Sequence, residues 1–421
     1  MTRGISALPS AYVRLLAASA ISSLGGGLQL LAVPLLATSL TRDPRLIGAL
    51  AVTSTVPSLL FAIPVGRIVD RLPRGQLLVF ADLASAGVTS ILVGLQLLGG
   101  LRLWELFTCS LALSTAGLLS GMSSSGYLPR IVSSDELVRA NGQLATVTQL
   151  GAGIIGPGLG GAVYALSPVM PFAANGVSFL ISAALVGSFV CRDDASKFDL
   201  PRSVHQPERQ AQVRRLPLAV AALRGDRSLE ILVVLVACSG LFGWMPEATF
   251  VLYARLVLHA SATQYGVLLA VTPAGAVLGG VVLARRRRSP KLLWLVPATD
   301  LIYGALLLPP GFLTSVPGVA AVLFVQGIPL IVHGATMKTI RQQLTPPHVW
   351  GQVTALFTMV GSSTDALGLA AGGFLGHSLG LRQVWVIAGL GEMTTALVLL
   401  TARRQILAQS QQVGRPAPGQ Q

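Results

Sequence analysis

The stretch QLGAGIIGPGLGGAVYAL, from Gln149 to Leu166, holds six glycines and Pro157 inside an apolar run long enough to cross a membrane. Glycine and proline both destabilise the interior of a soluble helix, because glycine leaves the backbone unrestricted and proline lacks an N–H donor. In a membrane, small residues four positions apart instead let two helix backbones approach closely. The stretch therefore predicts a membrane helix that packs tightly against its neighbours.

The rest of the chain has the same apolar character. Of its 421 residues, 52% are hydrophobic and only 11% are charged, whereas a soluble domain carries about 25% charged residues. Apolar runs of about 20 residues recur from end to end, and each predicts a transmembrane helix. We therefore predict an all-α polytopic membrane protein with twelve transmembrane helices in two pseudo-symmetric halves of six. The predicted spans are 12–40, 46–65, 76–99, 103–126, 141–166, 171–191, 229–254, 264–284, 292–310, 318–338, 352–376 and 383–402.

The connectors between spans are short except for residues 192–228, which are charged and contain proline. This segment predicts a cytoplasmic central linker between an N-terminal half, residues 1–191, and a C-terminal half, residues 229–408. The polar residues 409–421 predict a disordered cytoplasmic tail.

The distribution of positive charge predicts the orientation of the chain. With both termini in the cytoplasm, 25 of the 30 Lys and Arg residues lie on the cytoplasmic side, as the positive-inside rule requires. The net charge of +14 is therefore interpreted as loop charge. No basic stretch carries interleaved aromatic residues, so we expect no nucleic-acid partner.

An internal repeat links the two halves at an offset of about 212 residues. Gly156, Gly160 and Gly161 align with a second set of glycines, which are Gly368, Gly372 and Gly373. Two six-helix halves in the same orientation are typical of secondary transporters, whose substrate site lies between the halves near the midplane.

The connector after the second span, PVGRIVDRLPRGQ (64–76), combines Gly66, Asp70, Arg71 and Arg74. It resembles the signature loop of the major facilitator superfamily, G-x-x-x-D-R-x-x-R-R, with Gly75 in place of the final basic residue. This resemblance covers essentially the whole chain. It implies that a carboxylate and nearby cations pair in one conformation and separate in another.

The fifth span also resembles a motif of this superfamily. Gly156, Pro157, Gly160 and Gly161 match G-P-x-x-G-G, which the superfamily's exporters of the antiporter branch carry. Pro157 is expected to bend the helix because it removes a backbone hydrogen bond. The alternative interpretation is a plain packing interface with no bearing on the direction of transport.

Two further stretches, 21–50 and 128–142, are similar to bacterial drug and siderophore exporters. Many of those exporters carry an acid in the first span where this chain has Gly26, which leaves the first span without that proton-linked group. The resemblance implies export of a hydrophobic or amphiphilic small molecule by proton antiport with alternating access. It also implies a monomer in the cell membrane that uses the proton gradient and no cofactor, with substrate, protons and lipid bilayer as its partners.

Ionisable residues inside membrane spans are costly and usually functional. Asp365 lies mid-span in the eleventh span and is the first candidate proton carrier, because burial disfavours the charged form of an acid. Glu247 follows Pro246 near the outer end of the seventh span, and His333 in the tenth span can titrate near neutral pH. A structural hydrogen-bonding role stays open for Asp365, and a packing role for His333.

Three other intramembrane acids are interpreted as structural. Asp300 and Glu392 lie mid-span in the ninth and twelfth spans, which the resemblance places on the outside of their half. Asp82, two turns into the third span, is predicted to pair with a loop arginine.

The superfamily lines its cavity with the first, fourth, seventh and tenth spans. The corresponding candidates for substrate contact are Gln29, Thr115, Trp244, Phe250 and Gln326. They predict a mostly apolar cavity with scattered hydrogen-bonding groups, which suits amphiphilic substrates better than multiply charged ones.

Three alternatives to this function stay open: an importer, a narrow-specificity metabolite or siderophore exporter, and a non-transporting membrane sensor. The sequence has no nucleophile–base pair and no cluster of metal ligands, so we predict neither a catalytic site nor a metal site.

Overall fold

The computed structural model describes residues 9–133, 135–193, 227–285, 292–345 and 350–413. These residues are helical, without a strand among them. Almost all of the predicted linker 192–228 and the end of the predicted tail lie outside the described residues. The last helix continues to Val413, so it includes the first residues of the predicted tail, 409–413.

The first six predicted spans correspond to nine α-helices and one π-helix. The second span is divided into three short helices, and the fifth into α7, a π-helix and α8. The helices are α1 (Ser10–Leu40), α2 (Pro44–Val52), α3 (Val56–Leu60), α4 (Ala62–Arg71), α5 (Arg74–Leu97), α6 (Leu103–Ile131), α7 (Leu137–Thr148), the π-helix Gln149–Ile155, α8 (Gly156–Leu166) and α9 (Met170–Asp193).

The last six predicted spans correspond to six α-helices, with a short π-helix after the first of them. They are α10 (Arg227–Leu252), the π-helix Tyr253–Val257, α11 (Ala262–Arg285), α12 (Leu292–Leu307), α13 (Val316–Leu344), α14 (Trp350–Ser378) and α15 (Leu381–Val413). Pro309–Gly311 forms a single 3₁₀ turn after α12. Within the described residues, eight helices are long and apolar enough to cross a membrane.

Local sequence explains where α2 begins and where the second span breaks. Asp43 caps α2 by accepting a hydrogen bond from the Arg45 backbone at 2.9 Å, a common role for aspartate at a helix start. Thr53, Ser54 and Thr55 each bond through the hydroxyl to a carbonyl three residues back. These bonds compete with the helical ladder, and the break between α2 and α3 lies at these residues.

The chain divides into two compact units. Unit 1 comprises Met1–Leu200 and Ala254–Pro273, and unit 2 comprises Pro201–Tyr253 and Ala274–Gln421. In unit 1, α1 packs on α8 and α9, and α5 packs on α6 and α9. In unit 2, α10 packs on α14 and α15, and α12 packs on α13 and α15. The same pairing of spans therefore occurs in both units, as expected from the sequence repeat.

Each unit has its own apolar core. In unit 1, Tyr12 is fully buried among apolar residues of α1, α5, α6 and α9, and its hydroxyl donates to the Ala140 carbonyl at 3.1 Å. In unit 2, Leu229 and Val353 belong to a buried cluster that joins α10, α12, α13 and α14. These cores hold the helices that carry the candidate site residues.

Candidate functional site

The signature loop is assembled around Arg74, the first residue of α5. Its Nη1 donates to the Gly126 carbonyl of α6 at 2.6 Å, and its Nη2 lies 3.9 Å from Asp70 Oδ1 at the end of α4. Gly66 is buried and Arg71 is exposed. Arg74 therefore links the ends of three helices, and Asp70 lies at ion-pair distance from it.

Gly126 leaves the space that the Arg74 guanidinium occupies. A Cβ on Gly126 would lie 2.7 Å from Arg74 Cζ, which is closer than real Cβ contacts come. The guanidinium reaches the helix carbonyl because this position has no side chain.

All four residues of the fifth-span motif, Gly156, Pro157, Gly160 and Gly161, are buried. On one side they meet α1. A Cβ on Gly156 would lie 2.6 Å from the Gly27 Cα, and one on Gly160 would lie 3.3 Å from the Leu28 Cα. The helices are thus in backbone-to-backbone contact, as small residues four apart permit.

The other side of α8 meets the first turns of α11, still within unit 1. A Cβ on Gly161 would lie 2.7 Å from the Thr263 Cα, and one on Gly266 would contact the Pro157 carbonyl. The motif therefore makes close backbone contacts on two faces of α8. A helix that packs against a single neighbour needs such a contact on one face only.

Pro157 follows a seven-residue π-helix, Gln149–Ile155. The Gly156 N–H donates to the Gly151 carbonyl five residues back, and Pro157 lies in the first turn of α8, where its missing N–H is not needed. The sequence predicted a bend at the proline. The structure places the irregularity in the preceding turns, and α14, the equivalent span in unit 2, is a continuous helix.

Gly26 differs from its neighbours in α1. A Cβ built on it meets nothing within 4 Å among the described residues, whereas Cβ atoms on Gly25 and Gly27 would clash. The position where many exporters carry an acid is therefore open space here.

In unit 2, two intramembrane ionisable residues are in direct contact. His333 Nδ1 of α13 lies 2.5 Å from Asp300 Oδ1 of α12. Asp300 is 3% exposed, and its second oxygen, Oδ2, has no hydrogen-bond partner among the described residues. The sequence marked His333 as a candidate relay but did not predict this pair.

Glu392 of α15 belongs to the same cluster. It is 1% exposed and interacts electrostatically with both Asp300 and His333. Its Oε2 accepts a hydrogen bond of 3.4 Å from Ser239 of α10. Its Oε1 has no hydrogen-bond partner in the described part of the chain.

The other two candidate proton carriers lie apart from the Asp300–His333 pair. Glu247 is exposed on α10 and interacts electrostatically with Tyr303 of α12. Asp365 of α14 is half-buried and packs against α10, where its Oδ1 lies 2.7 Å from the Cβ position of Gly240. Their roles stay predictions.

The substrate-contact candidates have different surroundings. Gln29 accepts a hydrogen bond from Asn175 of α9, and the Thr115 hydroxyl bonds back to the Leu111 carbonyl at 2.7 Å. Both polar groups thus have a partner inside unit 1. Gln326 is 4% exposed, and its Nε2 has no partner among the described residues.

The two aromatic candidates on α10 differ in exposure. Trp244 is 44% exposed, whereas Phe250 is 4% exposed and lies edge-on to Trp385 at 5.7 Å between ring centroids. Phe250 therefore packs in the core of unit 2, and its contact with substrate stays a prediction. Trp244 has the exposure that substrate contact requires.

Sequence reasoning missed the partners of the intramembrane acids. Asp82 accepts a hydrogen bond of 2.6 Å from Ser182 of α9, where a loop arginine was predicted. Asp300 and Glu392 were interpreted as separate structural acids. The sequence did contain a signal for such partners. An ionisable group in a membrane span is costly, and three such groups lie in the spans of one half of the chain. Within the described residues, no group of three or more His, Cys, Asp or Glu residues converges as a metal site.

Comparison with solved structures agrees with this arrangement of helices. A bacterial homologue of the human lysosomal transporter Spinster covers 97% of this chain and 98% of its own, with 13% identity and a TM-score of 0.71. A bacterial homologue of the iron transporter ferroportin covers 93% of this chain and 98% of its own, with 17% identity and a TM-score of 0.70. At these identities the likeness concerns the fold alone.

Comparison of sequences finds relatives that are named as exporters. The enterobactin exporter EntS of Citrobacter koseri is 27% identical over 399 residues, which are 90% of this chain and 88% of that protein. The family model of the Major Facilitator Superfamily matches residues 15–369. With the signature loop, the fifth-span motif and the repeated helix packing, this match establishes that the chain is a transporter protein of the Major Facilitator Superfamily.

Proposed function

We propose that this chain exports a hydrophobic or amphiphilic small molecule across the cytoplasmic membrane in exchange for protons. The observation that carries the proposal is the similarity to an enterobactin exporter over 90% of the chain, together with an intact fifth-span motif at Gly156, Pro157, Gly160 and Gly161. Both termini are placed in the cytoplasm on the basis of the Lys and Arg distribution. The proposed active form is a monomer driven by the proton gradient, without a cofactor.

The described candidates support an amphiphilic substrate. Trp244 offers an exposed aromatic surface, and Gln326 offers a buried amide whose nitrogen has no partner among the described residues. Apolar surface with a few placed polar groups is typical of small-molecule sites. A siderophore is the second candidate substrate, because relatives that match most of the chain are named enterobactin exporters.

Proton coupling is proposed on the basis of acids in the spans of unit 2. Asp365 packs against α10 without a hydrogen bond or ion pair to another described residue. Glu247 and His333 are the other two candidates. An acid in this position can hold a proton in one conformation and release it in another.

The test is efflux from cells that express the protein. Cells are loaded with hydrophobic dyes, antibiotics or enterobactin, and retention is followed with and without an uncoupler for wild type, Asp70→Asn and Asp365→Asn. We expect wild type to lower retention, the uncoupler to abolish the effect and both variants to fail.

Each departure from this pattern has a specific meaning. Export that survives the uncoupler would overturn proton coupling. Enhanced retention of any compound in wild-type cells would overturn export and favour an importer. Export by Asp365→Asn would move the proton route to other residues of unit 2.

A further inference from the structure

A cluster of three ionisable side chains is enclosed by four helices of unit 2. Asp300 comes from α12, His333 from α13 and Glu392 from α15, and Ser239 of α10 closes the cluster by donating to Glu392. Asp300 and Glu392 are 3% and 1% exposed. Every member is within unit 2, so the cluster does not depend on the arrangement of the two units.

The hydrogen-bond inventory of the cluster is incomplete. Asp300 Oδ2 and Glu392 Oε1 are buried without a hydrogen-bond partner among the described residues, and so is His333 Nδ1, although it lies 2.5 Å from Asp300 Oδ1. A buried ionised carboxylate with an unsatisfied oxygen is strongly unfavourable, whereas the protonated acid carries no charge and has its own donor. The two carboxylate oxygens without a partner therefore indicate that one of the two acids can bind a proton.

The charges of the cluster point to the same ligand. If His333 is protonated and both acids are ionised, the cluster carries one net negative charge. Two neighbouring carboxylates that share one cation do not both stay ionised at low cost, so one of them takes up a proton. A divalent cation is the other ligand for such groups, but the described groups do not converge as a metal site.

The geometry assigns the uptake to one of the two acids. Asp300 Oδ1 lies 2.5 Å from His333 Nδ1, at ion-pair distance, so the imidazole balances its charge when the ring is protonated. Glu392 has only a 3.4 Å hydrogen bond from Ser239. We propose that Asp300, His333 and Glu392 form a proton-binding site, in which the Asp300–His333 pair stays intact and Glu392 takes up and releases the proton.

Tyr303 of α12 lies beside Glu392. Glu392 Oε1 and the Tyr303 hydroxyl lie 3.5 and 3.6 Å from the same point, the Cβ position of Gly243. Tyr303 interacts electrostatically with Glu392 and with the exposed Glu247. A tyrosine hydroxyl both donates and accepts, so it can relay a proton between two carboxylates. Tyr303 also interacts electrostatically with Asp300, so it is a titratable neighbour of both acids of the cluster, and Glu247 is a neighbour of Tyr303.

A buried acid on the equivalent helix of unit 1, α5, provides a contrast. Asp82 of α5 is also buried, and Ser182 of α9 satisfies it with a hydrogen bond of 2.6 Å. It has a close hydroxyl donor, whereas the unit 2 cluster has two acids, one imidazole and two unsatisfied oxygens. Asp82→Asn is therefore a control for the loss of any buried intramembrane acid.

This inference deepens the proposed proton coupling, and its test needs no substrate. Purified wild type, Glu392→Gln, His333→Gln and Asp82→Asn are titrated in detergent, and protonated carboxyl groups are followed by infrared difference spectroscopy. Proton uptake is measured in parallel with a pH indicator. Circular dichroism and thermal unfolding establish that each variant is folded.

We expect Glu392→Gln to lose a carboxyl signal that wild type gains on acidification, and to take up about one proton fewer per molecule. His333→Gln should keep that signal with a displaced pH midpoint, because the imidazole acts on Glu392 through its charge. Asp82→Asn should leave the signal of Glu392 unchanged. Equal carboxyl signals and equal proton uptake in wild type and Glu392→Gln would overturn the site.

Two further measurements cover a variant that does not fold and a protein that transports no compound. If Glu392→Gln does not fold, Ser239→Ala must move the midpoint toward higher pH, because it removes a donor that favours the ionised acid; an unmoved midpoint overturns the site. Transport is measured separately in proteoliposomes. A titrating Glu392 in a protein that moves no compound would overturn the proposed export and leave the proton site standing.

Discussion

Gly27 of α1 and Gly156 of α8 meet backbone to backbone, and a Cβ on either would lie within 2.8 Å of the other's Cα. Because of this contact, Gly27 should tolerate substitution much less well than its neighbour Gly26. We expect Gly27→Ala to destabilise the protein by about 1–3 kcal/mol, as overpacking does, and to reduce export. Gly26→Ala is the matched control, because its Cβ position is open.

The measurement is thermal unfolding in detergent together with efflux from cells. Gly27→Ala should lower the unfolding temperature and export, and Gly26→Ala should change neither. Equal unfolding temperatures for the two variants would contradict the close contact.

A second prediction concerns Arg74. Gly126→Ala places a methyl group 2.7 Å from the guanidinium carbon, so it should displace Arg74 from the Gly126 carbonyl. A hydrogen bond from a charged group contributes about 1.5–3 kcal/mol. We expect Gly126→Ala to slow export about tenfold or more and to resemble Arg74→Ala.

The control for Arg74 is Gly121→Ala on the same helix, where a Cβ meets nothing within 4 Å among the described residues. Export rates are compared at equal expression. If the double variant Arg74→Ala/Gly126→Ala is slower than either single variant by the product of their effects, Gly126 acts by some means other than holding Arg74.

A third prediction separates the two aromatic candidates. Phe250→Ala should destabilise unit 2 by about 3–5 kcal/mol, because it removes a buried ring that packs against Trp385. Trp244→Ala should leave stability nearly unchanged, because the ring is 44% exposed, and should alter which compounds are exported. Unfolding temperature and the efflux profile over the compound panel distinguish the two. A changed efflux profile for Phe250→Ala at unchanged stability would contradict the core role and support the predicted place of Phe250 in the cavity.

A fourth prediction concerns the Asp82–Ser182 pair. Ser182→Ala removes the only donor at 2.6 Å that the structure records for this carboxylate within the described residues, and should cost about 1–3 kcal/mol of stability. In the Asp82→Asn background the same change should cost less, because no carboxylate is then left without its partner. The measurement is a double-mutant cycle of thermal unfolding, and additive losses would count against the pair.

Much of the fold follows from local sequence. Apolar runs of membrane length located the spans, and the glycine repeat between Gly156 and Gly368 predicted two halves with the same packing. The breaks in the helices were harder to predict. The π-helix at Gln149–Ile155 arises from how the glycine-rich segment fits against α1, which is a tertiary effect that the helical pattern alone does not encode.

The candidate site was predicted only in part for the same kind of reason. His333 was recognised by its chemistry, but its contact with Asp300 joins two helices whose facing surfaces depend on the rotation of each helix. Sequence also could not tell Phe250 from Trp244, since both are aromatic residues of α10 and only packing decides which one is buried.

The π-helix also affects how this protein can change by insertion and deletion. A π-helical segment holds one residue more than the α-helix it replaces, and each residue turns an α-helix by about 100°. Deleting one residue from Gln149–Ile155 would restore a regular helix and leave Gly156, Gly160 and Gly161 facing α1, because the π-helical segment absorbs the change in length. The same deletion inside α8 would turn every residue after it by about 100°. The fifth span can therefore change in length by one residue at Gln149–Ile155 without moving its glycine motif, whereas the identity of those glycines is fixed by their backbone contacts with α1.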